Sequence, residues 1–500
     1  MNKTLRTAVA GAMAALLGAT LSACAVKAPA PQVDAQAPPQ WQAPLPHNGS
    51  RTNLATWWRN QTDQLLAELI DSAQAVSPTV SSAASRIAQS RADRVAAGAA
   101  LAPTLDGTGS VSRANQQSLA PGGTTSQTAL QASWEIDLFG ANRAARDAAQ
   151  ARFESAQAGW HDARVSVAAE TANQYFGLRA CEQLLAVAQQ DATSRADSAR
   201  LTELSAGAGF ESPANLALAR ASAAEGNNRY LAQRASCDIN VKALVALTAM
   251  PEPQLRQRLA SNANLGATAV DAGPPLIIPS SGVTALPATT LSQRPDVFTA
   301  EREVAAASAE VGGAEAQRYP RLTLSGAVGI ANFRSAGENT KTDTWTIGPL
   351  AISVPIFDAG RRRANIDAAS ARYDAAVISY RATVRQAVSE VEQALVNLDS
   401  TTQRSSAANT ALQGYRASFN AVDQRYKSGM ASLFELEDAR RTRLNAEQAL
   451  INLDRERNAA WVALYRAAGG GWTAPASVTT AANAANAANA ATTQTSTTQQ

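Results

Sequence analysis

Aromatic side chains make up only 5% of this 500-residue chain, and alanine dominates its apolar fraction, which excludes a thick globular core of the usual kind. Long helices packed in sheets or bundles suit such a composition better. Histidine occurs only at His47 and His161 and cysteine only three times, so no metal cluster of ordinary ligand spacing can be assembled. An excess of one charge is missing too. The formal net charge of +3 falls to about +1 without Lys3 and Arg6, so the charge balance does not point to a polybasic surface for nucleic acid or anionic lipid and names no partner. Beyond the first residues no run approaches 18 consecutive apolar positions, which excludes a transmembrane helix. Phosphate-binding glycine loops, HExxH and nucleophile elbows are absent, and carboxylate pairs such as Glu301/Glu303 fall on predicted helices, where solvation explains them. The chain therefore reads as no enzyme and implies no cofactor.

What is present begins with a leader. Residues 1–23 carry a basic start, an apolar stretch from Ala8 to Ala19 and a small-residue end, the pattern of a secretory signal peptide. That end, Leu21-Ser22-Ala23-Cys24, resembles the lipobox of bacterial lipoproteins, which implies cleavage before Cys24 and covalent lipid, palmitate included, on that residue. The residue after Cys24 is Ala25 and not Asp, and the same resemblance to lipoproteins then implies sorting to the outer membrane. Residues 24–50 follow as a Pro-, Ala- and Gln-rich tether.

A duplication organises the rest. At a spacing of 220 residues, ten of the twenty positions from Ser133 to Arg152 are identical to those from Ser353 to Arg372. The first repeat is placed at 51–250 and the second at 291–472, with a Pro-rich crossover at 251–290 and a low-complexity tail at 473–500. Each repeat contains a β-hairpin, at 103–138 and 320–357. In the first, Leu130, Ala132, Trp134, Ile136 and Leu138 alternate with Gln131, Ser133, Glu135 and Asp137. In the second, Leu322, Leu324, Val328 and Ile330 alternate with small or polar residues, and Gly348-Pro349 predicts a bulge or bend. Polar loops are expected at Ala114 to Thr125 and up to Asp343. Strands of this length, apolar on one side, carry the signature of an outer-membrane barrel, against the alternative of a soluble sandwich. Four strands cannot close a barrel and open edges are not tolerated in lipid, so the chain must oligomerise: two copies give eight strands and three give twelve.

Each hairpin feeds a helix without proline. The first runs from Gly140 to about Ser205, on the order of 100 Å if straight. Its turn centres on Gly209, and a return helix is expected from Pro213 to about Thr248; the second pair turns at Gly429 and returns from Leu433 to Ala467. Ser212 and Ser432, three residues past each glycine, can cap the returning helices. Cys181 and Cys237 lie 28 residues either side of Gly209 and so stand at one height of an antiparallel hairpin, which predicts a disulfide, against the alternative of two buried thiols. Their equivalents, Thr401 and Arg457, show that the repeat does not require it.

With Leu291 to Gly329 (LSQRPDVFTAEREVAAASAEVGGAEAQRYPRLTLSGAVG) added to these features, the chain resembles the TolC-like outer membrane factors, NodT/OprM-type lipoprotein branch. The resemblance covers Trp57 to Trp472. It implies a mainly α fold with a transmembrane β contribution: a homotrimer, four strands per chain in a twelve-stranded barrel, over an α-helical periplasmic tunnel. It also implies passive efflux of small toxic compounds through the outer membrane, handed over by an inner-membrane pump of RND type through a periplasmic adaptor. The tips at Gly209, Ser212, Asn215, Gly429 and Ser432 become adaptor contacts as well as caps. Glu435 and Asp438, one turn apart after Tyr426 to Gly429, become a ring of carboxylates at the narrowest constriction, against the reading of a solvated face that Glu437 shares. Asn215 and Leu218 stand at their equivalents in the first repeat, so no second ring is expected. Ala431, in place of the family's basic residue, puts an interchain latch in doubt. Two alternatives share parts of this pattern, a protein-secretion duct and a non-conducting periplasmic lipoprotein.

Overall fold

The computed structural model describes residues 28–35, 42, 58, 63–116, 120–261, 291, 293–335 and 337–472. Cys24, the leader, most of the crossover and the tail lie outside them. The elements are α1 (Gln64–Val76), α2 (Pro78–Ala99), β1 (Thr104–Gln116), β2 (Ala120–Ile136), α3 (Ala141–Gly207), α4 (Pro213–Thr248), α5 (Glu252–Ser261), α6 (Pro295–Ala316), β3 (Arg321–Ser335), β4 (Glu338–Ser353), α7 (Arg361–Lys427) and α8 (Leu433–Ala467). Helices α3 and α7 have 67 residues each, which reflects the duplication directly. Two compact units divide the chain, one of residues 1–35, 85–158 and 299–382, the other of 36–84, 159–298 and 383–500. Each takes a part of both repeats.

The first unit holds a four-stranded antiparallel sheet in the order β1-β2-β3-β4. Its middle pairing joins the repeats: β2 meets β3 from Gly123↔Ser335 to Ile136↔Leu322. The strands run further into the polar stretches than their apolar alternation reaches, β2 starting at Ala120 and β4 at Glu338, where loops were expected. A ladder is made by backbone groups, and runs of Thr, Ser and Asn satisfy it without apolar side chains. At the other end β2 stops at Ile136, so Leu138 is not part of it. Between Leu324↔Leu350 and Gly326↔Ile347 the register shifts, with the extra residue on β4 at Gly348-Pro349, as the sequence predicts.

Pleating sorts the side chains into two faces. On one, cross-strand rows read Ile136–Leu322–Ile352, Trp134–Leu324–Leu350, Leu105–Ala132–Gly326–Ile347 and Gly107–Leu130–Val328–Trp345. The other carries Asp106–Gln131–Ala327–Thr346 and Thr108–Ala129–Gly329–Thr344. Within one chain many large apolar side chains of the first face are bare, Trp345 at 73% and Ile347 at 88% exposure, while Trp134, Ile136 and Leu322 near the helix end are half-buried.

At the foot of each second strand an aspartate turns the chain into a long helix. Asp137 accepts from the backbone N–H of Asn142 (3.2 Å) and Arg143 (2.9 Å), and Asp358 from those of Gly360 and Arg362 (3.1 Å each). These carboxylates satisfy orphan donors at the positive ends of α3 and α7. In both turns the glycine, Gly140 or Gly360, has positive φ. In the same unit Ser308 donates to the carbonyl of Pro29 (2.6 Å) and Tyr373 to that of Ala30 (2.8 Å), which ties residues near the N-terminus to α6 and α7.

The second unit has a core of Leu66, Leu69, Tyr175, Leu178, Leu244, Leu255, Val391, Leu395 and Val462, drawn from α1, α3, α4, α5, α7 and α8. Full burial of each such side chain stabilises by roughly 1.5–3 kcal/mol. Buried Arg294 fastens it. Its guanidinium donates to the Ala467 carbonyl at the end of α8 (3.0 Å), to Glu390 of α7 (2.8 Å) and to Asp296 at the start of α6 (2.6 Å). The Arg294-Pro295-Asp296 motif thus stands at a helix start and also closes a helix end 173 residues away. Among the described residues no helix is long and apolar enough to cross a membrane.

Candidate gate at the helical tips

All residues of the two tips belong to the second unit. Each long helix ends in a turn with a glycine of positive φ, Gly209 (80°) and Gly429 (75°), a conformation in which a Cβ would be strained. Ser212 then caps α4 through its hydroxyl, which accepts from the Asn215 N–H at 3.1 Å, and Pro213 occupies the first turn. Ser432 does the same for α8 with the Glu435 N–H at 3.2 Å. Here Glu435 returns the contact, its carboxylate accepting from the Ser432 N–H at 3.3 Å to complete a capping box. Asn215, the equivalent residue, instead donates through its side-chain amide to Glu211 (2.7 Å).

The two acidic residues singled out in α8 are therefore not alike. Glu435 is exposed but held against its own helix start, where the helix dipole favours its charge. Asp438, one turn on and exposed, pairs with Arg441. Phe434 stands bare beside them at 74% exposure, on the same helix face as Asp438. The third acid goes the other way. Glu437 turns inward to Arg195 of α3 and to Arg440, whose side chain is wholly buried.

That contact belongs to a buried polar cluster. Arg195 is held by Asp191 through both carboxylate oxygens (2.9 and 3.0 Å) and donates to Ser222 of α4, while Arg440 donates to Ser194 (3.1 Å) and Ser198 (3.0 Å). Burial pulls the Arg440 guanidinium below its ordinary value; Glu437 opposes the shift and Arg195 adds to it. Nearer the tip, Ala219, Phe419, Leu433 and Leu436 form a small apolar cluster, and Tyr426 shares a hydrogen bond with Thr202 (3.0 Å). Helix α8 is thereby joined to α3 by ions and to α4 by apolar packing. No signal in the sequence separates Glu437 from its acidic neighbours, because its partner lies 242 residues away in the other repeat.

Further along the first hairpin, Cys181 and Cys237 are bonded, with Cα atoms 5.6 Å apart. Both are buried in the core of the unit, and the Gln233 amide donates to Cys181 Sγ (3.1 Å). Among the described residues no group of His, Cys, Asp and Glu could hold a metal ion.

The family model of the "Outer membrane efflux protein" matches residues 69–250 and 286–470. The chain is 30% identical over 380 residues to the solvent efflux pump outer membrane protein SrpC of Pseudomonas putida, covering 74% of this chain and 78% of that protein. To the outer membrane protein OprJ of Pseudomonas aeruginosa it is 28% identical, over 94% of this chain and 97% of the other. Its fold is similar to that of the outer-membrane channel OprN, with a TM-score of 0.75 and 26% identity over 88% of this chain and 99% of that one.

Proposed function

The chain belongs to the outer membrane efflux protein family, and from that premise we propose that three copies form one exit duct for small toxic compounds in the outer membrane. One observation carries this reading. The sheet has an apolar face, a polar face and two unpaired edges, β1 and β4. Apolar rows facing lipid and polar rows facing a lumen are what a barrel wall requires, and β1 of one copy against β4 of the next would satisfy both edges. Twelve strands enclose a passage, and the periplasmic helices extend it. A passive duct has no energy source of its own, so an inner-membrane pump, of RND type, delivers the compounds through a periplasmic adaptor that meets the tips around Gly209, Ser212, Asn215, Gly429 and Ser432. Lipid on Cys24 adds an anchor. The tie of Pro29 and Ala30 to α6 and α7 supports it, since it brings the chain within a few residues of Cys24 to helices that adjoin the sheet.

The gate is formed where Phe434, Glu435 and Asp438 of three copies converge. Six carboxylates there favour cations, and Arg441 beside each Asp438 tempers the field. Because Glu435 also caps its helix, glutamine is the informative replacement, keeping the capping box while removing the charge. Single-channel conductance in planar bilayers tests both statements. The wild type is expected to give a small, cation-selective conductance, and Glu435→Gln with Asp438→Asn to lose the selectivity. Unchanged selectivity would place the constriction elsewhere. No conductance from folded, trimeric protein would favour a non-conducting lipoprotein.

A further inference from the structure

Charges on the four strands are sorted by face and by height. Four cations occur in them, and three lie on the apolar face in its outermost rows. Arg113 and Arg334 share the row Arg113–Thr124–Arg334–Asn339, and Lys341 ends the next, Val111–Ser126–Asn332–Lys341. The fourth, Arg321, is on the polar face at the opposite end, facing Ser353. Asp106, Glu135 and Glu338 are also on the polar face. Asp343, one row inward from Lys341, is the carboxylate that the apolar face carries.

Strand spacing puts Arg113 and Arg334 about 10 Å apart, and Lys341 sits diagonally across from Arg334 at roughly 7–8 Å. All three are exposed and none has an ion-pair partner among the described residues. Three unpaired cations thus form a triangle directly above the bare rows of Ile330, Val328, Leu130 and Trp345. Both helix starts, at Ala141 and Arg361, leave the sheet at its other end. With the helices in the periplasm, the triangle stands at the outer leaflet.

We propose that this face is a binding site for an outer-leaflet lipid that carries phosphate on its headgroup, of the lipopolysaccharide class. Its acyl chains lie along the apolar rows, and its phosphates are held between Arg113, Arg334 and Lys341. Guanidinium forks pair with phosphate oxygens in two-pronged, charge-assisted bonds, and the hydroxyls of Thr124 and Ser126 stand between the two arginine-bearing strands. Charge complementarity selects the occupant: a neutral amphiphile would leave three cations unpaired at the edge of the lipid. The site rests on the sheet lying in the outer membrane and is independent of what the duct carries.

The test is a titration of the full-length protein in detergent with fluorescent bisphosphorylated lipid A, its dephosphorylated form and phosphatidylglycerol. The wild type is expected to bind bisphosphorylated lipid A at least tenfold more tightly than either of the others. Arg113→Ala with Arg334→Ala and Lys341→Ala should abolish that preference, whereas Arg321→Ala, on the opposite face, should keep it. Equal binding of the dephosphorylated form by the wild type would overturn the site with no variant needed, so a misfolded variant cannot hide the answer. Equal binding of phosphatidylglycerol would overturn the commitment to this lipid class. A triple variant that keeps wild-type heat stability and the full preference would overturn the role of the three residues.

Discussion

The two helical hairpins descend from one repeat, yet they differ where function would use them. The α3/α4 hairpin is stapled by Cys181–Cys237, and its tip is capped by Ser212 alone. At the equivalent height the α7/α8 hairpin has Thr401, which is buried and donates to the Leu398 carbonyl of its own helix, and Arg457. Its tip carries the capping box, bare Phe434 and the pair of exposed acids. Duplication supplied two copies of a frame, and divergence gave one a disulfide and the other a bare phenylalanine beside two exposed acids. The buried ions between them, Asp191–Arg195 in α3 and Glu437–Arg440 in α8, are where the two copies depend on each other.

Breaking that dependence should have the largest effect. Glu437→Ala leaves Arg440 buried with its ionic partner gone, at an expected cost of about 3–5 kcal/mol, read as a fall in the thermal midpoint of the purified protein. Joint replacement of Glu437 and Arg440 by apolar residues of similar volume should recover much of the loss; failure to recover it would mean that the hydroxyls of Ser194 and Ser198 matter more than the ion pair. Removing the staple comes next. Cys181→Ala with Cys237→Ala should cost about 2–4 kcal/mol in denaturant unfolding, and reductant should then have no further effect. A cysteine pair installed at Thr401 and Arg457 asks the converse question: if the second hairpin must move, conductance is expected to rise only on reduction.

Smaller effects sharpen the contrast between the tips. Ser432→Ala and Ser212→Ala should each destabilise the start of its helix by about 1 kcal/mol, because both lose the capping hydroxyl, while the Glu435 carboxylate keeps its bond to the backbone N–H of residue 432. Amide hydrogen exchange of the first turn reads both. Asp438 and Arg441 form an exposed pair, so Arg441→Ala should leave the thermal midpoint nearly unchanged. The same substitution should raise cation selectivity in bilayers, and an unchanged selectivity would remove Asp438 from the conducting path.

Much of this is legible in the amino-acid sequence, for local reasons. Gly209, Ser212, Pro213, Gly429 and Ser432 mark helix ends by their own backbone and capping preferences, and α4 and α8 begin where these marks place them. Period-two alternation in Leu130 to Ile136 gave the faces of the sheet. Net charge is a sum over the chain and does not say where charges gather: Arg113, Arg334 and Lys341 reach one face only through the register of four strands. The carboxylate caps at Asp137 and Asp358 were equally hidden, since they lie one position out of step in the 220-residue alignment and become equivalent only through their hydrogen bonds.

The amino-acid order alone determined the duplication, the extent of the long helices, the turns and the apolar alternation, because each depends on neighbours within a few residues. Tertiary structure decided the partners: that β2 pairs with β3 across the repeats, that Arg294 closes the end of α8, and that Glu437 turns inward while Glu435 and Asp438 stay exposed. Those choices follow from burial and hydrogen-bond satisfaction between segments far apart in the chain, which no local pattern encodes.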